Sequence, residues 1–164
     1  MSDEKLLAVR VAELAGQLEA RHLKISCAES CTGGWLAKCL TDRPGSSAWF
    51  EFGFVTYADS AKQTLLGVRA ATLADHGAVS QQVAQEMANG ARRVSGADLA
   101  VAISGIAGPG GGTVDKPVGT VWLAWAGPDG LQGAELREFP GDRAAVRSQA
   151  VAAALDGTLA RLLP

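Results

Sequence analysis

The chain has 164 residues, about one domain, and enough to bury a core without disulfides or metals. It is 48% hydrophobic and 20% charged with a formal net charge of −2, which excludes a disordered chain and leaves no basic excess for a general nucleic-acid or membrane-surface binder. No apolar run approaches the ~18–20 residues that span a bilayer, and the acidic, amphipathic start MSDEKLLAVRVAELAGQL is unlike a secretory signal. The expectation is one domain over 1–164, cytoplasmic, with neither nucleic acid nor membrane as partner.

In chain order, Leu6, Leu7, Val9, Val11, Leu14, Ala15 and Leu18 recur near helical spacing and predict a helix over 3–20. HLKISCAE (22–29) alternates like a short strand. A helix is expected from Thr32 to Leu40, stopped by Arg43-Pro44-Gly45. AWFEFGFVTY (48–57) is aromatic and β-branched, a strand in which Gly53 marks a bulge. Ser60-Ala-Lys-Gln63 has the S-x-x-Q spacing of a capping box and predicts a helix start at Ser60. TLADHGAVS predicts a short helix closed by Gly77, and Ser80 caps another that Gly96 ends. ADLAVAIS (97–104) is apolar throughout, as a strand buried on both faces would be. VGTVWLAWA (118–126) and LQGAELREF flank the turn Pro128-Asp129-Gly130, and 142–162 carries one apolar stripe. Such a mixture predicts a three-layer α/β/α fold with a mixed sheet.

Two segments carry more chemistry than packing needs. In AESCTGG (28–34), Ser30 falls where a strand hands over to a helix. A nucleophile there would face the amides of Cys31, Thr32 and Gly33, an oxyanion hole reinforced by the helix dipole. An N-terminal cap by Ser30 or Thr32 explains the position equally well. In SGIAGPGGGTVDKP (104–117), Gly105, Gly108, Gly110, Gly111 and Gly112 clear side chains away so that backbone N–H groups can approach an anion. The loop is neither a Walker loop nor a dinucleotide fingerprint. It reads as a phosphate site over a plain connection, because it follows the end of a buried strand. Thr113 and Lys116 are candidate further donors.

Lys62 falls in the first turn of its expected helix, where the dipole disfavours a cation and burial would lower its pKa toward that of a base. Tyr57, the single tyrosine, ends the preceding strand and could orient a proton. Taken alone, these arguments favour a solvated lysine and an ordinary strand-edge tyrosine. There is no G-x-S-x-G, and neither His22 nor His76 has a catalytic context, so a Ser-His-Asp triad is poorly supported. Cys27, Cys31 and Cys39 form no CxxC pair. They read as reduced thiols, and no metal or cofactor is expected.

AESCTGGWLAKCLTDRPGSS, VTYADSAKQTLLGV, HGAVS and SGIAGPGGGTVDKPVGTV together resemble the C-terminal domain family of the CinA competence/damage-inducible proteins, over about residues 5 to 160. Its stand-alone members are nicotinamide-nucleotide amidohydrolases, and this chain, starting at that module, resembles them. The resemblance implies a three-layer α/β fold and hydrolysis of nicotinamide mononucleotide to nicotinate mononucleotide and ammonia. It implies Ser30 as nucleophile, Lys62 as base with Tyr57 assisting, and the loop from Ser104 to Thr113 holding the nucleotide. GDRAAVR adds Arg143 as a ligand contact, and homo-oligomers are implied. The sequence departs from the family pattern at Ser104, usually threonine, and at Phe52, usually glycine. A non-catalytic nucleotide-binding module is the alternative reading.

Overall fold

Side-chain alternation along the central strands builds two unlike cores. In the computed structural model, which describes residues 1–164, Leu99, Val101 and Ile103 of β3 (Leu99–Gly105) face one side and Ala100 and Ala102 the other. Strand β4 (Thr120–Ala126) repeats this with Val121, Leu123 and Trp125 against Ala124 and Ala126. The bulky face packs under α1 (Asp3–Arg21), α2 (Trp35–Asp42) and α6 (Arg143–Leu162). The alanine face lets α5 (Gln81–Ser95) lie close, with α3 (Asp59–Leu66) and α4 (Ala70–His76) beside it.

The strand order is β2-β1-β3-β4-β5. Strand β1 (Ile25–Glu29) runs parallel to both β2 (Phe50–Val55) and β3, while β4 and β5 (Gly133–Glu138) form an antiparallel hairpin beyond β3. This is the expected three-layer mixed sheet. From β1 the chain crosses through α2 on one face to β2, then returns through α3–α5 on the other face to β3. The direction of winding therefore reverses at β1 and β3. In open α/β sheets the carboxyl ends of such strands leave a crevice between the departing loops.

Several element boundaries differ from expectation for local reasons. Helix α2 starts at Trp35, not Thr32, because Gly33 and Gly34 take left-handed conformations (φ 58° and 99°) and residues 30–34 form a turn. Helix α3 starts at Asp59 with Ala58 as its N-cap, and no side chain caps it. Ser60 is thus inside the helix and the expected capping box is not formed. Lys62 donates its amide to the Ala58 carbonyl as the first i→i−4 bond. Between Phe50 and Gly53 strand β2 carries one more residue than β1 opposite it, the bulge that Gly53 signalled.

Helix α3 is set by its contact with α5. A Cβ on Gly90 would run into the Leu66 carbonyl, a backbone atom that cannot rotate away. Gly90→Ala is therefore expected to lower stability by about 3 kcal/mol, the upper end of overpacking costs. A urea unfolding midpoint indistinguishable from wild type would show that α3 is free to move off α5.

Candidate active site

The crevice at the carboxyl ends of β1 and β3 holds the serine. The Ser30 amide still pairs with the Ile103 carbonyl (3.0 Å), so alternation continues one step past β1. Glu29 consequently faces α2 and Ser30 faces α3, while Cys31 returns to the bulky core. Facing Ser30 is Lys62, only 1% exposed, with Nζ 3.0 Å from Ser30 Oγ. Two further contacts orient that nitrogen: it donates to the carbonyls of Thr56 (2.8 Å) and Tyr57 (3.2 Å). Two N–H groups spent on carbonyls leave the third tetrahedral position directed at Ser30, where a neutral amine carries its lone pair. Burial pushes the Lys62 pKa below its ordinary value of 10.5, opposed by the charge of Asp59. Burial and the helix dipole are the two causes expected from the sequence, and burial is the largest cause in the structure.

The turn after Ser30 departs from the expected oxyanion hole. The amides of Cys31 and Thr32 have no acceptor in the chain, as such a hole needs. The Gly33 amide, however, is spent on the Ser30 carbonyl (3.1 Å). The N-terminus of α2 is also taken, since the Leu36 and Ala37 amides donate to the Glu29 carboxylate at 2.9 and 3.0 Å. The Thr32 hydroxyl adds a third bond to it (2.7 Å), so Thr32 is not the N-cap. Glu29, fully buried, is a residue that the sequence reading passed over. Its signal was present: a carboxylate placed just before a turn and a helix start is a ready acceptor for first-turn amides.

The pocket in front of Ser30 has a volume of about 300 Å³ and is walled by Cys31, Tyr57, Asp59, Lys62, Ala78, Val79 and the loop from Ser104 to Gly111, with Arg143. Among the loop residues, the amides of Ala107, Gly108, Gly110 and Gly111 have no acceptor in the chain. Arg143, at the start of α6, donates to the Gly108 carbonyl (2.7 Å) and to the Tyr57 hydroxyl (3.0 Å). The Tyr57 phenol thus stands at the exposed rim with Arg143, and what reaches Lys62 is the Tyr57 carbonyl. Ser104 commits its hydroxyl to the Ala78 carbonyl (2.8 Å), tying β3 to the segment before α5.

Gly112 and Thr113 are not part of the pocket wall. A Cβ on Gly112 would crowd the Val118 amide, so this glycine serves a chain–chain approach. Thr113 closes a local turn with Lys116, whose Nζ reaches the His76 carbonyl (2.8 Å). Thr32 and Gly33 likewise lie behind Cys31. A larger cleft of about 1060 Å³ opens between α1 and α2, and its one nucleophilic group is the Cys39 thiol, which burial pushes up to about 11.

Residues 8–162 match the family model described as the CinA C-terminal domain. The chain belongs to that family. Nicotinamide-nucleotide amidohydrolase PncC of Escherichia coli strain K12 is 57% identical over 157 residues, with 94% of this chain and 93% of that protein covered. The protein of the same name from Enterobacter agglomerans is 52% identical, with 97% and 96% covered. Among solved structures, a CinA superfamily protein of Escherichia coli superposes with a TM-score of 0.91 at 39% identity, covering 99% of this chain and 94% of its own. In this member of the CinA C-terminal domain family, every candidate named from the sequence lies on the Ser30 pocket, on the turn behind it, or on the far end of the glycine loop.

Cys31 adjoins Ser30 in sequence yet is 5% exposed, and burial pushes its thiol up to about 11. A thiol so placed is a poor nucleophile near neutrality. In the folded protein, iodoacetamide at pH 8 is expected to leave Cys31 unmodified, with labelling appearing only as the chain unfolds. Rapid labelling of native Cys31, read by mass spectrometry, would mean that the thiol and not the hydroxyl opens into the pocket.

Proposed function

We propose that the chain is an amidohydrolase that converts nicotinamide mononucleotide and water to nicotinate mononucleotide and ammonia, in the recycling of pyridine nucleotides. Full-length likeness to relatives named nicotinamide-nucleotide amidohydrolase supports the substrate. The observation that carries the chemistry is the buried 3.0 Å contact between Lys62 Nζ and Ser30 Oγ. A lysine that merely held a phosphate would stand in the open with its charge, not at the bottom of the pocket against a hydroxyl.

In this reading neutral Lys62 takes the Ser30 proton as Oγ bonds to the carboxamide carbon. The Cys31 amide, with Thr32 behind it, receives the developing oxyanion. The tetrahedral intermediate collapses as Lys62 returns the proton to the leaving nitrogen. The C–N bond breaks, ammonia departs, and Ser30 holds the acyl group as an ester. Water, activated by the same lysine, cleaves that ester and restores the serine. The phosphate lies against the free amides of the glycine loop near Arg143, far from the reacting carbon, where its binding energy fixes the amide in place. Tyr57 assists by its carbonyl, and its phenol helps hold Arg143. The three free thiols suit a reducing cytoplasm, and exposed Phe52 on the edge strand β2 suits assembly with further copies of the chain.

Lys62→Arg tests the base. Arginine keeps the charge and does not deprotonate near neutrality, so ammonia release is expected to fall by roughly 10²-fold or more. In wild type the neutral fraction of Lys62 grows as pH rises through its lowered pKa. The kcat/KM therefore climbs with pH and levels off below pH 10.5, the ordinary lysine value. Substantial turnover by Lys62→Arg, or a profile flat through this range, would remove Lys62 from the role of base.

Nicotinamide riboside, which lacks the phosphate, tests the loop. Its kcat/KM is expected to be at least ~10²-fold below that of the mononucleotide, as charge-assisted bonds to the loop amides and Arg143 are lost. Equal values for the two would mean that the loop does not bind phosphate.

A further inference from the structure

The pocket and its wall leave one strongly engaged cation without a part. Arg147, on α6, donates from Nε to the Cys31 carbonyl (3.0 Å) and from Nη2 to the Thr32 carbonyl (3.1 Å). Its guanidinium lies 5.6 Å from the centre of the Trp35 ring, a cation–π contact that holds the fork from behind. Nothing in the α6 helix itself calls for these bonds, since α6 is already capped by Asp142.

We infer that Arg147 is a positioning residue for the acyl-transfer step, acting through the Cys31–Thr32 peptide to aim and polarise the amides that receive the oxyanion. The inference rests on the amidase reading above. Its geometry follows from the trans peptide, in which C=O and the next N–H point in opposite directions. Arg147 draws the Cys31 carbonyl toward α6, so the Thr32 N–H points away from the guanidinium and backs the Cys31 amide on the pocket wall. On the other side of the turn the Gly33 amide fixes the Ser30 carbonyl, which sets the Cys31 N–H in the same manner. A cation on a peptide carbonyl also strengthens that peptide's N–H as a donor.

The field of Arg147 reaches the right place. Its charge acts to lower the pKa of the Cys31 thiol, against the larger effect of burial. A negative charge forming one residue away, on the carbonyl oxygen attacked by Ser30, is stabilised in the same sense. Helix α2 does not serve this purpose, because Glu29 already occupies its N-terminus.

Arg147→Gln and Arg147→Lys separate this role from a structural one. Losing an oxyanion-hole donor costs roughly 10²–10³-fold in kcat, and a misaimed donor is expected to cost about 10–100-fold. For Arg147→Gln we expect that loss in kcat, with KM and the Kd for nicotinate mononucleotide within about threefold of wild type. Arg147→Lys keeps the charge but not the fork, and is expected to recover part of kcat. If Arg147→Gln does not fold, a fall of fivefold or more in kcat of Arg147→Lys at unchanged KM supports the same role. Unchanged kcat in the folded variants overturns it, as does a rise in KM and product Kd that matches the loss of kcat. Wild type is measured first: if it releases no ammonia from the mononucleotide, the amidase reading falls and this inference with it. A wild type that turns over beside variants equally fast overturns the role of Arg147 alone.

Discussion

The contact between Lys62 and Ser30 is possible only because two crossovers leave β1 and β2 on opposite faces of one sheet. Ser30 emerges from β1 and is turned by alternation toward the α3 layer. Lys62 arrives on α3 from the neighbouring strand, β2, after a connection of three residues, Thr56 to Ala58. The carbonyls of that connection are the ones Lys62 binds. The same backbone that delivers the lysine thus fixes its rotamer and takes two of its protons. An amine held so is desolvated without being left unpaired, which lowers its pKa at small cost in hydrogen bonds.

Placing a nucleophile at a strand end ordinarily borrows the following helix for anion stabilisation. Here the helix is occupied, because Glu29 sits between Ser30 and α2 and accepts three hydrogen bonds. These donors converging on one buried carboxylate, with the Cys27 thiol beside them, make a rigid joint, and the turn from Ser30 to Gly34 is anchored to it. Arg147 grips the carbonyls of that turn while Glu29 takes its hydroxyl and the helix amides. Opposite charges thus hold opposite ends of the same few peptides. Such a turn stores free N–H groups in place before any substrate arrives, and preorganised donors of this kind cost no reorganisation at the moment of reaction.

Sequence pattern disclosed the architecture because its signals are local: the bulky-then-small alternation in LAVAIS, the Ser80 cap, the glycine stops at Gly77 and Gly96. It singled out Ser30 and the glycine loop as candidates for the same reason, since unusual residues at a strand end are visible one segment at a time. Lys62 gained its meaning only from the family resemblance, because its partner is 32 positions away in the chain. Glu29 and Arg147 were not found. Glu29 had a local signal that went unused, whereas Arg147 acts on backbone carbonyls far away in the chain, and backbone acceptors leave no mark in a residue alphabet. The reading also credited Tyr57 with its phenol, as a sequence shows side chains and not carbonyls. Gly112 and Gly105 carry a related lesson: Cβ atoms there would meet Val118 and Val121, so part of the glycine density serves chain packing and only part serves a ligand.

The charges of the proposed substrate fit this distribution. Nicotinamide mononucleotide joins an anionic phosphate to a cationic pyridinium ring. In the binding mode proposed above, the phosphate meets Arg143 and the loop amides and the pyridinium lies deeper, on the side of Ser30 and Lys62. A cation brought beside Lys62 disfavours its ammonium form and favours the free amine. In that proposal, binding moves the lysine toward the free amine that the proposed acyl transfer requires. Asp59, on the pocket wall and opposed to that shift, finds in the pyridinium a second positive charge to face. On that proposal the substrate's own charge adds to the effect of burial at Lys62, and a neutral amide lacking the ring cation would leave the proposed base less fully prepared.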